Sequence, residues 1–322
     1  MLFNLFFTLF IWAGLKVIEK SDFKYFLFLI ISLIGGLLTK QQMAVSILLL
    51  PLFIILAVWR WLKQRNHKLT IKAIIFIVFT LVLLVLGIKY GEVRRIRGFI
   101  VAGHNSGQEI PLVQHLVWTF KHTIAEVLPW YWGVFKWLGV VLPRLVNQIQ
   151  MRLLGLALIG LVVWLIKAIR QKKVMSTWQI GFLGLAAAIY FTAVTLWNWQ
   201  FRMAYGFPFG VQGRYFFPTI VAHMALIMVG LTSLIPKRWI KWGLFILALW
   251  WLILSFIGLW TVVKVYYQVW PLQTLWWQVS QYKPFWFKAE WWFVWLGFYL
   301  ISLIGMLVNI VRQTRNYEIK ES

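Results

Sequence analysis

Apolar runs of roughly 20 residues recur along this sequence, and each is long enough to cross the ~30 Å hydrocarbon core of a bilayer as a helix. In lipid a backbone must satisfy its own N–H and C=O groups, and a helix does so within one segment. Composition agrees. Of the 322 residues 62% are hydrophobic and only 12% charged, whereas soluble domains are about half apolar and about a quarter charged. A soluble fold would leave large apolar patches in water. A soluble enzyme, a DNA-binding domain and a disordered chain are therefore excluded, and the expected fold is an all-α, polytopic integral membrane protein.

The runs predict about nine spans, at 2–18, 25–40, 43–62, 73–90, 150–168, 178–197, 215–235, 240–262 and 291–311. The first two are short and fit a bilayer if their neighbours cover them. Pro51 falls inside the third, where adjacent helices compensate its missing donor. Two long segments remain, 91–149 and 263–290. The first holds a polar loop from Gly103 to Glu109, an amphipathic stretch from Leu112 to Val127, and an apolar piece from Val127 to Leu142 bounded by Pro129 and Pro143. That last piece is short for a span and is expected as a re-entrant or interfacial helix. The second, rich in Trp and Tyr, suits the headgroup level. No repeat or linker divides the chain, so one transmembrane domain over 1–322 is expected, ending in a tail at 312–322.

Basic residues orient the spans. Lys63, Arg65, Lys68 and Lys72 fall in one loop; Arg170, Lys172 and Lys173 in another; Lys237 and Arg238 in a third; Arg312, Arg315 and Lys320 in the tail. All four groups share one side under the nine-span count. This predicts the N-terminus outside and the C-terminus inside. Eighteen of the 32 Lys and Arg then face the cytoplasm with four of the eight acids, a net of +14, and 14 face out with the other four, a net of +10. The positive-inside rule accounts for the first figure and leaves the second. Two readings of the second are open: general attraction to anionic lipid, or a phosphate-binding site. Arg202 and Arg214 adjoin predicted spans, where an unpaired charge is costly, and Arg binds phosphate in a bidentate fashion. Nucleic acid is not an expected partner.

With no cysteine, neither a disulfide nor a Cys-ligated metal is possible. Met1 to Ile18 has no basic n-region and no small-residue cleavage site, so no cleavable signal peptide is expected. Glu92 adjoins Arg94, Arg95 and Arg97 and reads as an ion-pair partner. His115, His122 and Glu126 fall at helical spacing on one face, which suits either a metal site or the polar face of an interfacial helix. His223 lies inside a span, where it suits a helix–helix hydrogen bond or a functional role. The 23 Trp could suggest sugar stacking, but most are accounted for by interfacial belts.

The most distinctive segment runs Phe207-Pro208-Phe209-Gly210-Val211-Gln212-Gly213-Arg214-Tyr215-Phe216-Phe217-Pro218. Its Gly and Pro spacing predicts a tight loop entering the seventh span. From Val211 to Pro218 it resembles the Q-G-R-Y signature of a large family of bacterial membrane proteins of unknown function, which is similar to the GT-C glycosyltransferases. Trp132-Gly133-Val134-Phe135-Lys136-Trp137 with Pro143 resembles a second motif of that family, with Lys136 where Gly is usual. Gly36-Leu37-Leu38-Thr39-Lys40 is a weaker third match. The matches run in order from about residue 35 to 235. The resemblance implies a GT-C-like enzyme in the bacterial cytoplasmic membrane. It would transfer a sugar from a polyprenyl-phosphate-linked donor to a cell-envelope glycan, with no cofactor and no metal. It implies that Arg214 and Arg202 bind the lipid phosphate, that Gln212 and Tyr215 orient it, and that Lys40 assists. The family's acidic motif in its first outer loop, which resembles a general base, has no counterpart here. The resemblance therefore implies a chain that begins partway through the family pattern, and it leaves the catalytic residue unassigned. A lipid or polysaccharide transporter, or a non-catalytic remnant or assembly partner, are the alternatives.

Overall fold

The structure is a computed structural model. It describes residues 2–20, 23–63, 78, 110–135, 139–171, 178–267, 269–281, 284–285, 288 and 291–321. The predicted span at 73–90 (apart from residue 78), the loops at 63–72 and 172–177, the polar loop with Glu109, and Asp22, Glu92, Lys136 and Glu290 lie outside the described residues, apart from the backbone of Lys63.

Among the described residues the chain is almost wholly helical. Helices α1 (Leu2–Lys20), α2 (Phe23–Thr39) and α3 (Leu50–Lys63) lead to α4 (Leu112–His122) and α5 (Leu128–Trp132), joined by one π turn over Thr123–Val127. Then come α6 (Arg144–Arg170), α7 (Trp178–Tyr205), α8 (Ile220–Leu234), α9 (Ile240–Tyr266), α10 (Leu272–Ser280) and α11 (Trp291–Glu321). Among the described residues five helical stretches are long and apolar enough to cross a membrane: Leu2–Lys20, Arg144–Arg170, Trp178–Tyr205, Gly213–Leu234 and Lys237–Tyr266. Lys24–Thr39, Val45–Ala57 and Phe293–Met306 are shorter apolar helices. In the most apolar windows of α6 and α9 only 17% of residues are buried, so their side chains require lipid, not water, around them. The chain is an all-α membrane protein.

Three expected elements take a different form. The third predicted span is a 3-10 helix over Gln41–Leu49 that becomes α-helical at Leu50. Pro51 thus sits at the change from 3-10 to α-helix, in the first turn of the α-helical part, where its fixed φ is tolerated. The expected re-entrant helix from Val127 to Leu142 is instead the five-residue α5 followed by two short antiparallel strands, β1 (Val134–Phe135) and β2 (Val140–Val141), with Val134 opposite Val141. Beta-branched and aromatic residues there favour extended pairing over a continued helix. The tail from 312 extends α11 to Glu321.

The described chain forms two compact units, Met1–Tyr131 with Ala168–Leu226, and Trp132–Lys167 with Ile227–Ser322. In the first, α1, α3 and α7 meet through aromatic rings. Phe10 and Phe53 pack edge to face at 5.5 Å, Phe53 lies 4.8 Å from Phe182, and Phe7 meets Tyr190 at 5.3 Å. The ring of Phe53 occupies the space that a side chain at Gly14 would need. In the second unit, α6 and α8 cross so closely that a methyl on Gly160 would strike the Gly230 carbonyl, and Ser233 Oγ donates to the Gly160 carbonyl at 2.6 Å. Such small-residue crossings let membrane helices gain dispersion contacts without a hydrophobic drive between them.

Candidate functional site

The site forms within the first unit, where α7 ends. Gly206 stops the helix with φ +80, donating its N–H to the Arg202 carbonyl at 2.8 Å. The chain then turns back, and the buried Asn198 side chain accepts the Phe209 N–H at 2.9 Å. Gln212, in extended backbone, opens a 3-10 helix over Gly213–Thr219, its carbonyl accepting the Tyr215 N–H at 3.0 Å. Gly213 is required there, because a Cβ would fall inside the backbone of Tyr131 at the end of α5.

A polar chain fastens the same region. Thr219 Oγ1 donates to the Phe216 carbonyl at 3.1 Å, so toward His223 it accepts, at 3.3 Å from Nε2. That makes His223 the Nε2–H tautomer, and its Nδ1 accepts the Tyr131 hydroxyl at 3.1 Å. His223 therefore makes an inter-element hydrogen bond, one of the two roles open to it from sequence.

The sequence-proposed residues separate into distinct environments. Lys40, following α2, sets its ammonium 5.9 Å from the centre of the Tyr215 ring and 5.7 Å from that of Phe3, so the structure brings Lys40 and Tyr215 together. Gln212 Oε1 is buried without a hydrogen-bond partner. Arg202 lays its guanidinium over the Trp118 ring at 5.6 Å, and its Nε and Nη1 are shielded from solvent with no acceptor. Arg214 is exposed and, among the described residues, makes no hydrogen bond or ion pair. The two arginines thus differ: one is a half-buried cation with two shielded, unmet donors, the other a surface charge.

Helix α4 supplies what sequence reasoning missed. Trp118 was absent from the proposed set, yet it stacks on His122 (4.8 Å, 12°) as well as on Arg202. Its signal was helical spacing, since residues 115, 118, 119, 122 and 126 share one face. His115 is fully buried, with Thr119 Oγ1 3.2 Å from its Nε2. Burial holds its pKa below the usual 6.5; the Thr195 carbonyl opposes that, and the Arg202 charge adds to it. His122 Nε2 donates to the Val211 carbonyl at 2.9 Å, and its Nδ1 lies 3.4 Å from Glu126 Oε2. Among the described residues no group of three or more His, Asp and Glu is arranged to hold a metal.

Between α4, α7 and the loop at Val211 lies a cavity of about 10 Å³, lined by Trp118, His122, Thr195, Asn198, Val211 and Phe216 among others. It has room for about one water. A sugar or a prenyl chain would have to dock outside it. Comparison with protein-family models, curated proteins and solved structures gives no match.

Proposed function

We propose that this protein is a GT-C-like membrane glycosyltransferase that takes a sugar from a polyprenyl-phosphate-linked donor and passes it to a cell-envelope glycan. In this reading it spans the bacterial cytoplasmic membrane about nine times, with the N-terminus outside, the C-terminus inside and the Gln212–Tyr215 loop on the outer face. The observation that carries the reading is the Arg202 guanidinium. A guanidinium with two of its nitrogens shielded from water and without acceptors is costly, and a phosphate oxyanion satisfies both charge and donors. The neighbouring Gln-Gly-Arg-Tyr segment, which resembles the family signature, supports it. So does Lys40 beside Tyr215, a second cation at the same loop. Arg214, being exposed, adds field and not fixed contact, which makes its contribution salt-sensitive. Held on Arg202, the phosphate leaves with its developing charge already compensated.

The test uses the full chain in lipid nanodiscs with radiolabelled undecaprenyl-phosphate glucose. The expected result is saturable binding that Arg202→Ala weakens about tenfold or more, a loss of about 1.4 kcal/mol. Arg202→Lys is expected to restore it only in part, because a point charge lacks the planar fork. Equal binding by wild type and Arg202→Ala overturns the site. A second reading, a non-catalytic partner that binds the lipid, is favoured by the scarcity of carboxylates at the site, where Glu126 is the one described. Binding without transfer to native membranes would select it.

A further inference from the structure

The glycosyltransferase reading lacks a proton acceptor, and the structure offers one. We propose that Glu126 is the general base that takes the proton from the acceptor hydroxyl, with His122 as its positioning residue. The inference rests on the reading above.

Four observations place this carboxylate. His122 is almost fully buried, its side chain only 9% exposed, whereas that of Glu126 is 48% exposed. A sheltered imidazole thus anchors an accessible carboxylate. Both ring nitrogens are occupied: Nε2–H donates to the Val211 carbonyl at 2.9 Å, and Nδ1 lies 3.4 Å from Glu126 Oε2, an ion pair when the ring is protonated on both nitrogens. His122 therefore has no free nitrogen for a substrate, while Oε1 of Glu126 is free to accept. The ring cannot swing away, because Trp118 lies flat on it at 4.8 Å and Trp130 meets its edge at 6.1 Å. Finally, Glu126 sits in the π turn Thr123–Val127, a distortion that recurs at functional sites.

The carboxylate is tied to the cation by the same groups. Val211 immediately precedes Gln212, and Trp118 carries both His122 and the Arg202 guanidinium. Base and phosphate anchor are thus joined through one hydrogen bond and one indole. In the step itself, the acceptor oxygen bonds to the anomeric carbon of the donor. The anomeric C–O bond to phosphate breaks, and its electron pair leaves with the polyprenyl phosphate held by Arg202. The hydroxyl proton passes to Glu126 Oε1 and from there to water. No other reactant is needed.

The experiment compares wild type, Glu126→Gln, His122→Ala and the double variant in native membranes supplied with radiolabelled undecaprenyl-phosphate glucose. Donor binding is measured on the same proteins in nanodiscs. Glu126→Gln is expected to lower kcat by about a hundredfold or more with donor KM and binding unchanged. His122→Ala is expected to lower kcat less, and the double variant to fall no further than Glu126→Gln, since His122 acts only through the carboxylate. Transfer by Glu126→Gln at the wild-type rate overturns the base and leaves the glycosyltransferase reading standing. Loss of donor binding with the rate also overturns it, because Glu126 would then support structure. No transfer by wild type overturns both.

Discussion

Arg202 carries a cost in the fold, which an anion bound there as proposed would offset. Two of its guanidinium nitrogens are shielded without acceptors, and the Trp118 ring replaces only part of the lost hydration. Arg202→Leu is therefore expected to stabilise the ligand-free protein, by about 1–3 kcal/mol, the typical cost of a buried unmet donor. Under the proposed function undecaprenyl phosphate is expected to raise the Tm of the wild type, and the same change to abolish that rise. Thermal unfolding in detergent, with and without the lipid, reads both effects. His115 gives a second prediction. Burial depresses its pKa in the fold, so it binds a proton less readily there than in the unfolded chain, which protonates near 6.5. The unfolded state then binds more protons as pH falls, and stability drops below about pH 6.5, by at most about 1.4 kcal/mol per pH unit for one group. The expected signature is a Tm that falls between pH 7 and 5 and falls less in His115→Phe. An equal fall in both would remove His115 from the account. Neither residue's environment was legible in sequence. Arg202 and Arg214 look alike there, both at the edge of an apolar run, and what separates them is a tryptophan on another helix.

At the scale of elements, the turn over Gly213–Thr219 is held from two sides, by its backbone contact with Tyr131 and by the Tyr131–His223–Thr219 chain. Gly213→Val drives a side chain into the α5 backbone and is expected to cost about 1–3 kcal/mol, as overpacking does. Because the same turn presents Gln212 and Tyr215, lipid-phosphate binding is expected to weaken with it. Tyr131→Phe removes the hydrogen bond to His223 and is expected to cost about 1 kcal/mol. Urea titrations of the two variants in detergent should rank them in that order. The existence of these helices was readable from the apolar runs, since in lipid any such run must be a helix. Their interruptions were less so. The 3-10 start of the third span and the strands after α5 arise where the local chain is short, Pro-flanked or β-branched, and hydropathy is blind to those features. Gly213 was visible as a glycine in a tight loop, but the backbone that requires it is far away in sequence.

For the whole molecule, orientation rests on the basic loops and is open to direct measurement. The natural sequence has no cysteine, so single-cysteine variants label without background. With Tyr205 and Arg238 on opposite sides, Tyr205→Cys is expected to react with a membrane-impermeant maleimide in intact cells and Arg238→Cys only after permeabilisation. The reverse pattern would invert the topology and put the Arg202 site on the cytoplasmic face. Sequence by itself determined that the chain is helical and membrane-embedded, because both follow from hydropathy summed over contiguous residues. It also marked the Gln212–Tyr215 loop, because glycine and proline spacing is local. Which arginine has donors shielded from water, and which carboxylate lies beside a sheltered imidazole, only the tertiary structure decided. The Arg202 guanidinium lies over the Trp118 ring of α4, and Glu126 lies beside an imidazole bonded to the Val211 carbonyl, 89 residues beyond His122 in the chain. Burial and hydrogen bonding between such distant segments have no period for a sequence to display, and they exist only once the helices have packed.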